Sequence, residues 1–373
     1  MQYFDNAAAV PVSPETLDRF RALSLAFFAN QEASGAHARQ CETAWNEAER
    51  SVLRLFGTDT ASFRIFPVFS GTMAVRAGIL AAADRFPGGG TVLITEAEHA
   101  SVQAAVDSLP ASFRRVVVPL RRSGQVDAGA FASAAASDTV LACVSHVQPE
   151  TGAVQNVAEL KQILSLAAPR AMLFCDTIQS AGKLPLPSPL PDLFAVSGQK
   201  LGVPGGAFLI LRSGLYPFVR DLRRVHHGIE RVPPAFSLLL AERLAECVSD
   251  CLRRLEQIRD VRTRLSNLLK RDLGPHFSPT VPDGDASPYL LHFLLGHGIQ
   301  GAVNVRAMAE RGFSIASGSA CNAETSGPSR VLTAMGVSRG EAFSALRISF
   351  FDPVPDDALE ALSSALKASI DSY

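Results

Sequence analysis

AMLFCDTIQSAGK at residues 171–183 and DLFAVSGQK at 192–200 decide the fold. Each opens as an apolar run too short for a helix and stops abruptly in polar residues, Asp176 in one and Ser197 to Lys200 in the other. A run without polar alternation is buried on both faces, as in a strand covered by helices on either side. Five more runs of this kind lie between about residues 60 and 210: SFRIFPVFS (62–70), TVLITEAEH (91–99), RRVVVPL (114–120), TVLACVSHV (139–147) and GAFLILRSG (206–214). Helical patterns separate them, so the spacing predicts an α/β layer with a mainly parallel sheet of buried strands. Ligands of such sheets sit beyond the carboxyl ends of the strands, and the polar tails are where chemistry is expected.

Further along, residues 236–273 keep apolar residues at helical spacing and predict one long helix leading into a second lobe. That lobe, about 274–373, pairs the strand candidates SPYLLHFLL (287–295) and ALRISFF (345–351) with the helices NVRAMAERG (304–312) and PDDALEALSSALKAS (355–369), an α+β pattern. PLPSPLPD (185–192) predicts a proline-stiffened loop.

The 373 residues are 47% hydrophobic and 19% charged, enough to bury a large core. A formal net charge of −1 gives no electrostatic footprint for nucleic acid or an acidic membrane surface. No apolar run reaches the roughly 18 to 20 residues that span a bilayer, and the start of the chain lacks the basic and apolar regions of an export signal. Six cysteines without CxxC spacing fit a reducing cytoplasm. Cys143 and Cys175 lie in strand-like runs, and Cys247 and Cys251 could share a helix face. Packing explains all four better than a metal site does.

Four strand ends carry candidate chemistry. Lys200, before the glycine-rich LGVPGGA, is a surface lysine or, if desolvated, a Schiff-base lysine. Asp176 caps the next element or holds a ligand's protonated ring nitrogen. SGTMA (70–74) is an N-cap or, through its amides and hydroxyls, a phosphate cradle. His99 is a turn residue or stacks on a flat ring. Taken singly, none outweighs its plainer reading. Together they are the parts of a pyridoxal phosphate site at the edge of one sheet. Cys321, in SGSACNAETSGPSR (317–330), stands apart from apolar neighbours in a segment of small residues and is expected to be accessible and mobile.

The chain resembles the class V, fold-type I pyridoxal phosphate enzymes, and among them the NifS-like cysteine desulfurases. YFDNAA, SGT, EH, HVQPETGAVQ, DTIQSAGKLPL, SGQK, SGSACN, PSRVLTAMG and ALRISF occur in the family's order almost end to end. The resemblance implies a large domain with a mainly parallel seven-stranded sheet and a small α+β C-terminal domain. It divides the chain into an N-terminal segment packing with the small domain (1–15), the cofactor domain (16–250) and the small domain with the Cys321 loop (251–373). It further implies pyridoxal 5′-phosphate as cofactor, with Lys200 as its covalent anchor, Asp176 on the pyridine nitrogen, Gln179 on the phenolic oxygen and His99 stacked on the ring. Gly71, Thr72, Met73, Ser197 and Gln199 would complete the cofactor site, while Arg347 and Gln148 would meet the substrate. L-Cysteine would become L-alanine with a persulfide on Cys321, which passes its sulfur to an acceptor protein, as in iron–sulfur cluster assembly. A cytoplasmic homodimer is the implied form.

Four positions depart from the family's usual residues. Gln199 replaces a histidine and cannot exchange protons near neutral pH. Pro149 replaces a ligand-facing asparagine, Met73 a glutamate, and RVPP (231–234) the stretch RSGT whose threonine reaches the neighbouring subunit's cofactor. A class V aminotransferase or related lyase, with Cys321 incidental, and a non-catalytic sulfur-handling partner are the alternative readings.

Overall fold

The seven apolar runs form one sheet. In the computed structural model, which describes residues 1–30, 33–225, 232–296, 298–318 and 327–372, β1 (Gln2–Tyr3) opens the chain. The runs follow as β2 (Phe63–Val68), β3 (Gly90–Thr95), β4 (Phe113–Val118), β5 (Thr139–Ser145), β6 (Met172–Asp176), β7 (Leu193–Ser197) and β8 (Ala207–Arg212). Their spatial order is β2-β8-β7-β6-β5-β3-β4. β8 is antiparallel to both its neighbours and the remaining pairs are parallel. Central strands β5, β6 and β7 are buried at every residue, as expected for strands covered on both faces. RRVVVPL departs from the expectation of a buried strand: β4 is the sheet's edge, and Val117 is exposed because no neighbour covers it.

Helix Gly71–Asp84 lies close on this sheet. Gly78 lets it approach, since a Cβ there would lie 2.9 Å from both Leu209 and Phe174 side-chain carbons. Ser70 caps it, its Oγ accepting from Met73 N at 3.3 Å. The close approach brings the helix N-terminus to the carboxyl end of β7: a Cβ on Gly71 would sit 3.4 Å from Ser197 Cβ and 2.6 Å from Ile178 Cδ1.

The long helix expected over 236–273 is two helices, Pro234–Ser249 and Cys251–Leu273. Asp250 leaves helical geometry at φ −96° and ψ 2°. Its carboxylate starts the second helix, where negative charge is favoured, and accepts from Arg253 at 2.6 Å on each oxygen. A break of one residue scarcely disturbs the apolar spacing, so periodicity alone hides it. Cys143, Cys175, Cys247 and Cys251 are all buried.

Beyond these helices β9 (Ser278–Pro279), β10 (Leu290–Leu294), β11 (Phe313–Ser314), β12 (Ala316–Ser317) and β13 (Ala345–Ser349) follow. An antiparallel sheet is ordered β12-β13-β10-β9, and β1 pairs in parallel with β11. Three of these strands have only two residues, too short to leave a periodic signal. Helices Gly301–Glu310 and Asp356–Asp371 occupy the helical patterns of this region. The PLPSPLPD loop carries a cis peptide bond at Ser188–Pro189. No helix of the described residues is long and apolar enough to cross a membrane.

Candidate active site

The chain's start is the seam between the two sheets. Phe4 N donates to Ser314 O of β11, Ser349 N donates to Phe4 O, and Ala7 N donates to Ser349 Oγ, which ties residues 4–7 to β11 and to β13 of the small sheet. Three residues then face the large sheet: Gln179 Nε2 donates to Ala7 O at 2.8 Å, Lys200 Nζ donates to Ala8 O, and Val10 N donates to Gln199 O. Gln179 and Lys200 thus aim their polar ends at consecutive carbonyls of the turn at residues 6–8.

Lys200 ends the short helical turn Gly198–Lys200 that follows β7. Asp176 is the last residue of β6, buried, with Oδ1 accepting from Ile178 N at 2.9 Å. Burial raises its carboxyl above the usual range, while that amide and the nearby His99 and Lys200 charges pull the other way. His99, Asp176 and Lys200 therefore share one electrostatic neighbourhood at the carboxyl ends of the parallel strands. His99 caps helix Ala100–Asp107, its Nδ1 accepting from Ser101 N at 3.1 Å, so the ring is held from that side. Beneath it, Glu98 is fully buried, taking bonds from Thr95 Oγ1, Ser145 N and Ser145 Oγ at 2.6–2.9 Å. Burial still drives it up to about 7, with the Asp176 charge adding to the rise.

Gly71 and Thr72 open their helix, where backbone amides lack intrahelical partners. The Met73 amide is already engaged by Ser70 Oγ. Ser197 is buried and Gln199 exposed. Gln179 Oε1 is buried with no hydrogen-bond partner among the described residues.

On the small sheet, Arg347 is buried in β13. Its Nη1 donates to Pro149 O at 2.9 Å and its Nη2 to Asp5 Oδ1 at 2.7 Å, while Nε has no partner among the described residues. Gln148 Oε1 accepts from Glu150 N, Thr151 N and Thr151 Oγ1, and its Nε2 donates to Ala97 O at 3.5 Å. Its side chain is therefore spent on the turn at 148–151. Cys321 lies outside the described residues, as does Arg231 of RVPP.

Sequence reasoning passed over Asp5, Glu98, Glu150 and His292, all now beside named site residues. Glu98 had a usable signal, an acid one residue before a strand-end histidine. The others become neighbours only through pairing between distant segments.

The family model described as Aminotransferase class-V matches residues 2–362. Among curated proteins, the cysteine desulfurase IscS of Anaeromyxobacter sp. (strain K) is 28% identical over 368 residues, covering 92% of this chain and 86% of that one. The putative cysteine desulfurase IscS 1 of Bacillus subtilis (strain 168) is 28% identical over 360 residues, covering 93% of each chain. Among solved structures, a NifS-like protein superposes with a TM-score of 0.87 at 19% identity over the whole of both chains. One from Rickettsia africae ESF-5 gives 0.84 at 20% identity, covering 100% of this chain and 99% of that one. At such identities the likeness shows the fold, that of the fold-type I enzymes.

Proposed function

From the premise that the chain belongs to the class-V aminotransferase family, we propose that it is a pyridoxal-phosphate-dependent cysteine desulfurase. The observation that carries the reading is the gathering of Lys200, Asp176 and His99 at the carboxyl ends of one parallel sheet, beside the N-terminus of the helix that Gly71 opens.

These residues suit the family's cofactor. Asp176 offers a carboxylate with one oxygen steadied by Ile178 N, suited to a pyridine N–H. The buried Gln179 Oε1 without a partner is an acceptor that a ring hydroxyl satisfies. Amides at Gly71 and Thr72, with the Thr72 and Ser197 hydroxyls, suit a phosphate. When bound, the cofactor supplies an aldehyde for amine condensation and a ring that takes up the electron pair released at the substrate Cα.

The chain's own groups supply the rest. Lys200 Nζ is the amine that would anchor the cofactor, and it is the chain's base for the substrate Cα proton. Asp176, as a carboxylate facing a positive ring, would hold the proton on the pyridine nitrogen. Arg347 receives the substrate carboxylate. Cys321 attacks the substrate sulfur as a thiolate: an S–S bond forms, the Cβ–S bond breaks, and a proton replaces sulfur on Cβ. Alanine and an enzyme persulfide result, balanced without an outside oxidant. A free thiol with a pKa of about 8.5 is only a few per cent ionised near neutrality, so a cationic or basic neighbour at Cys321 is part of this reading. L-Cysteine as substrate, a sulfur-acceptor protein, a homodimer and the cytoplasm belong to the same proposal.

The test is to give purified protein L-cysteine and follow sulfide and alanine. Lys200→Ala should lose both the cofactor's lysine-bound absorbance and turnover, whereas Cys321→Ala should keep the absorbance and lose sulfide. Equal sulfide release from Cys321→Ala and wild type would reject the reading, and amino transfer to a keto acid without sulfide would replace it with an aminotransferase.

A further inference from the structure

Three arginines of this chain grip a carboxylate as a fork, through Nε and Nη2 together. Arg19 takes the two oxygens of Glu242 at 2.8 and 2.6 Å, Arg64 those of Glu49 at 2.9 and 3.2 Å, and Arg253 those of Asp250 at 2.6 Å each. Arg347 is more deeply buried than any of them and grips only half. Its Nη2 donates to Asp5 Oδ1 at 2.7 Å, but Nε, on the same edge of the guanidinium, is buried with no hydrogen-bond partner among the described residues. Nη1, on the far side, is taken by Pro149 O at 2.9 Å. One charged donor therefore stays unmatched in the interior, at a cost in free energy, and it is the second prong of the fork that Asp5 half-fills.

Asp5 is also the more open partner of the pair. Its side chain is 18% exposed and that of Arg347 5%, so solvent reaches the pair from the acid's side. Among the described residues Asp5 is the only carboxylate within ion-pair distance of Arg347. The backbone around Asp5 is held without help from that carboxylate. Asp5 O accepts from Ala8 N at 3.0 Å and from Tyr3 Oη at 2.8 Å, and Phe4 and Ala7 on either side are bonded to Ser314 and Ser349. Rotating the side chain away from Arg347 thus breaks one hydrogen bond and leaves the turn at residues 6–8 in place, with its carbonyls still on Gln179 and Lys200.

We propose that Asp5 is a built-in competitor for the Arg347 guanidinium: it holds the arginine until the substrate's carboxylate displaces it and takes Nη2 and Nε together. The proposal rests on the reading of Arg347 given under the proposed function and adds to it the residue that sets affinity there. An incoming carboxylate makes two bonds where Asp5 makes one, which drives the exchange. Opposing it is the attraction between Asp5 and Arg347, which every ligand must first overcome. A neutral group such as an amide or a hydroxyl does not replace the lost charge, so Asp5 filters the site for carboxylates. Asp5 acts through Arg347 and is a positioning residue.

The experiment titrates holoenzyme with propionate, a carboxylate with no amino group to react, by isothermal calorimetry at fixed ionic strength. Asp5→Asn keeps an oxygen for Nη2 and removes the charge. It should bind propionate at least about tenfold more tightly than wild type, the effect of one charge at partly screened range. Asp5→Glu restores the charge and should bind about as weakly as wild type, and adding Arg347→Gln to Asp5→Asn should abolish the gain. KM for L-cysteine should fall in Asp5→Asn, where loss of a merely structural residue would raise it. If Asp5→Asn is too unstable for calorimetry, its urea midpoint should climb with propionate by mass action, more steeply than that of wild type. Equal propionate affinity in wild type and Asp5→Asn, a gain that survives Arg347→Gln, or a raised KM in the folded variant would overturn the proposal. Absence of turnover with L-cysteine would remove the functional reading alone, because the propionate comparison needs no chemistry and still decides the exchange.

Discussion

Replacing Gly198 with alanine should unseat the turn that carries Lys200. A Cβ at 198 would lie 2.8 Å from Gly205 O, 3.0 Å from Gly206 O and 3.1 Å from Val203 Cβ. Two of these atoms are backbone, so no rotamer change relieves them. Gly198 is also bonded on both sides: its N–H donates to Gly206 O at 2.9 Å, and its carbonyl accepts from Leu201 N and Val203 N. Making room therefore moves the entry to β8 away from the end of β7. Overpacking of this kind costs about 1–3 kcal/mol, and weakening one backbone hydrogen bond adds about 1 kcal/mol. A loss of about 3 kcal/mol is expected, large against ordinary stabilities of about 5–15 kcal/mol. Gly214→Ala is the matched control. Nothing lies within 4 Å of its Cβ position and its φ is not positive, so it should change stability by less than about 1 kcal/mol, in the stabilising direction. Urea unfolding followed by circular dichroism measures both, and absorbance after gel filtration measures the cofactor retained. Gly198→Ala should unfold at lower urea and release more cofactor, since Lys200 is two residues away. An unchanged midpoint with full cofactor retention would refute the claim that this backbone holds Lys200 rigidly.

Asp176→Asn keeps an acceptor for Ile178 N but loses the charge offered to a pyridine nitrogen. Turnover should fall by about one to two orders of magnitude, the worth of a charge-assisted hydrogen bond, with cofactor still bound. Kinetics on the reconstituted protein would show it. Glu49→Leu strips the partner from Arg64 Nε and from Ile65 N, bonded at 2.9 and 2.7 Å, and should destabilise by about 3 kcal/mol in urea titration, with little effect on the kinetics of protein that remains folded. Lys183 is fully buried, and burial first and the Lys200 charge second lower it to about 7. The unfolded lysine holds its proton at higher pH than the folded one, so wild-type stability should rise between pH 7 and about 10. The slope should be at most about 1.4 kcal/mol per pH unit, and Lys183→Met should flatten it. An equal slope in both proteins would show that Lys183 stays charged when folded.

Much of the site was legible in the order of residues because its parts lie where strands end. β6 and β7 announce themselves as unbroken apolar runs, and the chain must turn polar on leaving the sheet, so Asp176 and Lys200 stand out by position alone. Gly71 was legible for a similar reason, as the first residue after a strand and an N-cap serine. The edge position of β4 was not. A strand's neighbours depend on pairing between distant segments, and RRVVVPL carries the same apolar signal whether one side is covered or both. The break at Asp250 escaped because one residue hardly shifts a helical period.

By itself, then, the sequence determined the parallel α/β architecture and the residues at its strand ends, since burial period and chain polarity are local properties. Only the tertiary structure decided that residues 4–10 run between the two sheets, that Asp5 meets Arg347, and that Glu150 and His292 face one glycine. Asp5 and Arg347, and Glu150 and Gly318, are each more than a hundred residues apart in the chain. Their chemistry comes from burial, which turns ordinary acids and imidazoles into groups with displaced proton affinities, and burial belongs to the folded chain as a whole.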